Sequence, residues 1–270
     1  MKTAFVTIRP EPRLRRDAFF SGLSALGYDV RGGPPNTLDA DTVLVCWNRY
    51  GDNHHHANRV EAAGGRVLVA ENGYLGQGGS VPKFDLDGGF APGHYIALAL
   101  GGHNGSGRWP AGDGSRFAAL DAPLLPWRSA GEHILVCPNR SFGRPDLIMP
   151  SDWPQQVCRR LHSLTKRPIK LRSHPGTHAP ARPLEADLAN CWAVVIWSSS
   201  AGLHALRHGV PVIRLAPAFV GAGAESIDLA AIESPAMPDR QPAFERMAWA
   251  QWTLAEIATS TPLKHLLGEQ

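Results

Sequence analysis

The chain has 270 residues, 43% of them hydrophobic and 19% charged, with a formal net charge of +3. That balance excludes an intrinsically disordered chain, and the charge is too modest for a protein that coats DNA. No apolar run reaches the length of a membrane span, so a cytoplasmic protein without a membrane partner is expected.

Residues 3–8 predict a short strand, and residues 15–26 carry apolar positions at helical spacing, stopped by Gly27. Arg9, Arg13, Arg15 and Arg16 cluster at the junction between the two, where they form either a solvated face or a phosphate-binding patch. A buried-type strand is predicted over 42–47, a helix from 51 through 62 stopped by Gly64-Gly65, and a further strand over 66–70. This βαβαβ rhythm predicts a parallel sheet covered on both faces. From Glu71 to Pro126 periodicity is lost and Gly, Pro and Trp accumulate, as in segments that carry function or insertions.

The rhythm then restarts, with strands predicted over 133–137, 168–172, 191–197 and 210–215. Helices are predicted over 154–164 and 201–208, and a closing helix over 243–258. The expected fold class is α/β, with two Rossmann-like domains facing a cleft, residues 1–130 and 131–270. Cys46, Cys137, Cys158 and Cys191 include no CxxC pair, so neither a zinc knot nor a disulfide framework is implied.

Five stretches could carry chemistry. In CWAVVIWSSSAGLHALRHG, a strand ends in Ser198-Ser199-Ser200 and a helix follows with Gly202 near its start. Hydroxyls and free N–H groups at such an edge bind phosphate oxygens, although serines there also simply cap a helix. In KLRSHPGTH, Pro175 biases His174 away from helical geometry, leaving Arg172 and His174 at a strand exit, where a histidine can neutralise a leaving phosphate. In VLVAENGYLG, Glu71 directly follows an apolar strand and could accept a proton from an attacking hydroxyl; a turn carboxylate is the plainer reading. The loop GGHNGSGRW offers His103 as a second candidate base, Asn104 for polar contact and Trp109 for stacking. Arg140, in the loop after strand 133–137, is a further phosphate anchor.

Taken in chain order, the first three, each after a strand, resemble the acidic-acidic-Gly, His-Pro and serine-pair motifs of bacterial sialyltransferases and capsule-type Kdo transferases of the GT-B fold. The matching residues are Glu71-Asn72-Gly73, His174-Pro175 and Ser198-Ser199, with Asn72 standing where that family has a second acid. The resemblance implies an inverting, metal-independent sugar transfer from a nucleotide-sugar co-substrate, with no other cofactor. It makes Glu71 the base, His174 the assistant to the departing phosphate, and the serines the grip on that phosphate; Arg140, Arg172, Ser200 and Gly202 are placed on the donor side by their own positions beside strand exits.

Size, charge and loop composition also look like those of small phage glycosyltransferases that modify hydroxymethylated pyrimidines in DNA. On that reading duplex DNA is the acceptor and Arg13, Arg16, Asn104 and Trp109 contact it; a polysaccharide or glycolipid, with a CMP-sugar donor, is the alternative. From another class, Ser198–Gly202 reads as a degenerate nucleophile elbow of a serine hydrolase, with Ser200 as nucleophile, Asp228 or Asp239 as acid and His265 as base. Asp85-Leu86-Asp87 spells the metal-binding tripeptide of other glycosyltransferases, and His204 and His208 have the spacing of a zinc pair without its glutamate; no metal is expected at either.

Overall fold

The computed structural model describes residues 2–10, 13–75, 95–120, 122–140, 143–174 and 182–268. Runs of β-branched and aliphatic residues alternate with helices. In chain order they form β1 (Thr3–Val6), α1 (Arg13–Ala25), β2 (Asp29–Gly32), β3 (Thr42–Trp47), α2 (Asp52–Ala62), β4 (Arg66–Asn72), β5 (Tyr95–Leu100) and the single turn α3 (Ser115–Ala118). A second series comprises β6 (His133–Cys137), α4 (Trp153–Leu164), β7 (Ile169–Leu171), α5 (Leu184–Leu188), β8 (Cys191–Ile196), α6 (Ala201–Arg207) and β9 (Val212–Arg214). The chain closes with α7 (Gln241–Ala248), β10 (Gln251–Thr253), α8 (Leu254–Ala258) and α9 (Thr261–Leu267).

The chain forms two Rossmann-like α/β units. The first comprises Met1–Asp121 with Glu245–Gln270, and the second Ala122–Phe244. The expected division into 1–130 and 131–270 differs in that the last segment returns to the first unit. The reason lies in the predicted helix over 243–258, which is interrupted. Gln251, Trp252 and Thr253 pair antiparallel with Ala97, Ile96 and Tyr95, and α8 then starts afresh on a capping box. Thr253 Oγ1 accepts the Glu256 N–H at 3.2 Å and the Glu256 carboxylate accepts the Thr253 N–H at 2.8 Å.

In the first unit the strand order is β10-β5-β4-β3-β1-β2. Strands β1 to β4 are mutually parallel, whereas β5 runs antiparallel to β4. Alternate residues serve opposite faces. Ala4, Val6, Val43, Val45, Leu68 and Ala70 pack with Phe19 and Leu23 of α1 and with Ile257 and Leu263. Phe5, Leu44, Cys46, Val67 and Val69 pack with Ala57 and Val60 of α2. Burying a side chain such as Phe19 or Leu23 stabilises by about 1.5–3 kcal/mol. Helix α1 meets α8 at backbone distance, because a Cβ on Gly22 would fall 2.1 Å from the Ile257 carbonyl oxygen.

The second unit is a parallel sheet of order β7-β6-β8-β9. Trp153, Val157 and Leu161 of α4 cover the face formed by Ile134, Val136, Ala193 and Val195. Helix α6 lies on the other face, where a Cβ on Gly202 would come within 2.6 Å of Ile196 Cδ1 and 3.5 Å of Val212 Cγ1. Cys46, Cys137 and Cys191 are free, buried thiols whose pKa values burial pushes up to about 12, which makes them inert members of the core. Among the described residues no helix is long and apolar enough to cross a membrane.

Each sheet reverses its direction of growth once. The chain moves from β1 outward to β2 and returns to β3 on the other side of β1. Likewise it moves from β6 to β7 and returns to β8 on the other side of β6. Loops leaving the carboxyl ends of strands beside such a switch diverge over opposite faces of the sheet, which opens a crevice between them.

Candidate functional site

Because the second sheet is parallel, the loops after β6, β7 and β8 all emerge at its carboxyl edge. At the β6/β8 switch, Asn139 Nδ2 donates to Ser198 Oγ at 3.0 Å, and Asn139 Oδ1 accepts the Ser198 N–H at 3.1 Å. These reciprocal bonds hold the two loops together and commit the buried Ser198 hydroxyl to the framework. Ser199 Oγ accepts the Ala201 N–H at 3.3 Å, whereas Ser200, at the N-cap, makes no side-chain capping bond and is exposed. Capping therefore accounts for one of the three serines.

His174 emerges beyond β7 and is exposed overall. Loss of hydration against neighbouring protein, and then repulsion from the nearby Arg140 guanidinium, hold its pKa below the ordinary 6.5. Its imidazole is neutral at pH 7 and gains from an incoming anion. Arg140 is itself exposed, so the fold brings Arg140 and His174 together at the edge that carries the serines. Two other residues expected on the donor side have structural work instead. Arg172 forms an ion pair with Asp187 and donates to the Arg182 carbonyl at 2.9 Å. The missing Cβ of Gly202 is used by the packing of α6 on the sheet, so close approach there is to Ile196 and not to a ligand.

In the first unit Glu71 lies inside β4, one residue before its end, because Glu71 and Asn72 pair with Ala97 and Ile96 of β5. Its parity places it on the face of Val67 and Val69, the one covered by α2. Tyr74 Oη donates a short hydrogen bond to Glu71 Oε1. The Asn104 N–H donates to that same oxygen at 2.8 Å and lies 3.1 Å from Tyr74 Oη. Burial, the Glu71 charge and the hydrogen bond to it push the Tyr74 pKa well above its ordinary 10.0, so the phenol remains a donor.

The loop that delivers Asn104 is tightly closed. Leu100 and Arg108 exchange backbone bonds of 2.8 and 2.9 Å, and Ser106 Oγ donates to the His103 carbonyl at 2.7 Å. Asn104 takes the left-handed region, φ 48°, which asparagine tolerates better than most residues. Buried Arg49 anchors the loop's start, donating to the Gly101 carbonyl while paired with Glu61 Oε1 at 2.7 Å. The sequence leaves His103 and Glu71 as rival bases, and the fold brings them to one place. His103 Nδ1 is buried without a hydrogen-bond partner among the described residues, whereas the Glu71 carboxylate is held by two donors.

The remaining expectations fare differently. Trp109 Nε1 donates to the Arg246 carbonyl at 2.9 Å and the Arg246 guanidinium covers its ring at 5.0 Å, so this indole braces the first unit and is not presented for stacking. Arg16 lies over Phe20 at 4.9 Å, and Arg15 over Trp47 at 3.9 Å. Burial lowers the Arg15 pKa to about 10. The basic cluster is thus partly consumed by aromatic packing, and the Arg13 side chain, Pro175, Asp85 and Asp87 lie outside the described residues.

The acid and base candidates of the hydrolase reading have other partners. Asp228 caps the turn at Ala230, Asp239 accepts the Gln241 N–H at 3.0 Å, and His265 Nε2 pairs with the Pro110 carbonyl at 2.8 Å. Among the described residues no group of three or more His, Cys, Asp and Glu side chains could hold a metal ion.

Sequence reasoning missed Tyr74, Asn139, Arg49 and Gln251. Asn139 carried a usable signal, a polar amide directly beyond a buried strand at a switch point. The others become visible only once the fold places their partners, from Glu71, three residues from Tyr74, to Gln251, 177 residues from it. Gln251 is fully buried; its Oε1 accepts the N–H groups of Tyr74 and Leu75 at 2.8 and 2.9 Å, and its Nε2 donates to the Leu75 carbonyl at 2.9 Å.

No protein-family description and no curated protein matches the sequence. Among solved structures, the chain is similar to the β-Kdo 2,4-transferase of KpsC from Thermosulfurimonas dismutans, with a TM-score of 0.56 and 14% identity over 92% of this chain and 90% of that one. It is also similar to the β-Kdo 2,7-transferase of the same KpsC, with a TM-score of 0.52 and 12% identity over 97% of this chain and 99% of the other. At such identities the likeness is one of fold.

Proposed function

We propose that this chain is an inverting glycosyltransferase that moves a sugar from a nucleotide-activated donor to a carbohydrate hydroxyl. A Kdo-like sugar carried on CMP and a polysaccharide or glycolipid acceptor are the best-supported choices. The observation that carries this reading is that each of the two Rossmann-like units holds one half of the chemistry such a transfer needs. A carboxylate fixed by two donors stands near the carboxyl end of β4, and a cationic, hydroxyl-bearing edge stands at the β6/β8 switch. The full-length likeness to two Kdo transferases supports the same reading. Nothing favours hydroxymethylated DNA, the acceptor expected from size and charge, so carbohydrate takes its place.

In this mechanism Glu71 accepts the acceptor's hydroxyl proton as that oxygen attacks the anomeric carbon. The bond from the anomeric carbon to the phosphate oxygen breaks on the opposite side, and configuration inverts. The nucleotide phosphate leaves with its charge met by His174, Arg140 and the hydroxyls of Ser199 and Ser200. Helix α6, at seven residues, adds little dipole, so side chains carry most of that stabilisation.

The test is incubation with a panel of nucleotide sugars, CMP-Kdo among them, and two acceptors, a Kdo-terminated oligosaccharide and a hydroxymethylated duplex, read by mass spectrometry. A glycosylated oligosaccharide is expected. Transfer only to the duplex would restore the DNA reading, and release of free sugar without transfer to either would replace the transferase with a hydrolase.

A further inference from the structure

We infer that Tyr74 is a positioning residue for the Glu71 carboxylate: its phenol and the Asn104 N–H together occupy one carboxylate oxygen, turning the other toward the acceptor. This rests on the reading of Glu71 as the base. Tyr74 Oη and Asn104 N both reach Oε1, and among the described residues Oε2 receives no hydrogen bond. Two donors on one oxygen fix the carboxylate plane and draw charge onto Oε1. The proton from the acceptor hydroxyl is then received on Oε2, where lone pairs remain available.

The arrangement is built by contacts from three parts of the first unit. Gly73 donates its N–H to the Tyr95 carbonyl at 2.8 Å, and a Cβ on Gly73 would fall 2.6 Å from Tyr95 Cβ, so the chain leaves β4 pressed against the start of β5. Gln251 of β10 then clamps the backbone of Tyr74 and Leu75 with three hydrogen bonds of 2.8 to 2.9 Å. The ring is directed back along the strand, so that its hydroxyl meets a carboxylate three residues earlier. The left-handed Asn104 brings the second donor from the loop after β5. A tyrosine retained only for its bulk would require neither the Gln251 clamp nor the convergence on one oxygen. Burial and the adjacent charge keep the phenol protonated through the neutral range, so it acts as a donor and never as a competing base.

Two measurements on the full chain test this. Tyr74→Phe keeps the ring and deletes the donor. With CMP-Kdo and a Kdo-terminated oligosaccharide it should lower kcat by roughly 10-fold and leave the donor KM unchanged, since the loss falls on the proton-accepting step. Separately, the Tyr74 phenol should titrate above an ordinary tyrosine in the wild-type protein and move down in Glu71→Gln. The carbon-13 resonance of the phenol carbon, assigned by its loss in Tyr74→Phe, reports this without any turnover. Unchanged kcat in Tyr74→Phe, with Glu71→Gln inactive, overturns the positioning role and leaves the base in place. A fully active Glu71→Gln overturns the base and the positioning role with it, while the titration still reports whether the contact exists. Should Tyr74→Phe fail to fold, the highest-titrating tyrosine resonance in wild type and Glu71→Gln decides alone: no movement between them refutes the contact.

Discussion

The switch points of the two sheets are tied by similar means and used differently. At β1/β3, Thr7 Oγ1 donates to Asn53 Oδ1 at 2.9 Å, and Asn53 Nδ2 donates to the Trp47 carbonyl at 3.0 Å. At β6/β8, Asn139 and Ser198 exchange two bonds. In each case an asparagine amide satisfies backbone and hydroxyl groups where the strand ladder stops, which is required of polar groups at a buried edge. Beyond that the units diverge. The first covers its switch with the Arg15–Trp47 pair, and its candidate base, Glu71, stands one strand further out, on β4, beside the added antiparallel strands β5 and β10. Among the described residues the second has no added antiparallel strands, and Arg140 and His174 stand exposed at the carboxyl edge of its sheet. On the proposed function the difference matches two demands: a base must be oriented by donors from a rigid surround, whereas an anion site must remain positive and reachable.

The sharpest way to break this contrast is Glu71→Gln, which keeps shape and removes basicity. Turnover should fall by about 10²-fold or more, with CMP binding by calorimetry unchanged. A parallel loss of CMP affinity would mean that the two units do not divide the work as described.

Gly202→Ala tests whether this glycine serves packing or ligand. With Ile196 Cδ1 2.6 Å from the new Cβ, overpacking should cost about 1–3 kcal/mol in denaturant unfolding. CMP affinity, measured below the unfolding transition, should stay near the wild-type value.

His174→Ala should weaken CMP binding by roughly 10-fold, and Ser199→Ala by less, since a charge-assisted bond outweighs one from a neutral hydroxyl. The same residue gives a pH signature. Its folded pKa lies below 6.5, so on acidification through that value the unfolded chain takes up the proton first. His174 therefore lowers stability as pH falls through 6.5, and the loss ends once the folded imidazole is protonated. A bound phosphate favours the imidazolium, so CMP affinity rises over the same interval. The His174→Ala variant subtracts the nucleotide's own titration, and equal pH dependence in both proteins would remove His174 from the site.

The smallest expected effect is none at all. Activity should survive exhaustive chelation, because Arg140, His174 and hydroxyls meet the leaving charge. Loss on EDTA treatment, restored by manganese, would bring Asp85 and Asp87 back into consideration.

Local pattern made much of the fold legible. The apolar runs that became β3, β6 and β8 are buried on both faces, as parallel strands are, and Glu71 and Ser198–Ser200 stand out because each is polar where an apolar run stops, at β4 and β8. Strand β10 escaped notice because three residues between helical patterns carry no period of their own. It exists only because β5 offers an unpaired edge.

Sequence by itself therefore determined the two α/β halves, the inert cysteines and the polar residues at strand exits, since these follow from periodicities of two and 3.6 within short windows. Tertiary structure alone decided which of the candidate residues remain available. Arg172 was claimed by Asp187, Trp109 by Arg246 and Gly202 by Ile196, while Glu71 acquired donors from Tyr74 and Asn104. The physical reason is that a hydrogen-bonding group is satisfied by whatever the fold brings within about 3 Å. For the Gln251 amide that partner lies 177 residues away along the chain, beyond the reach of any local pattern.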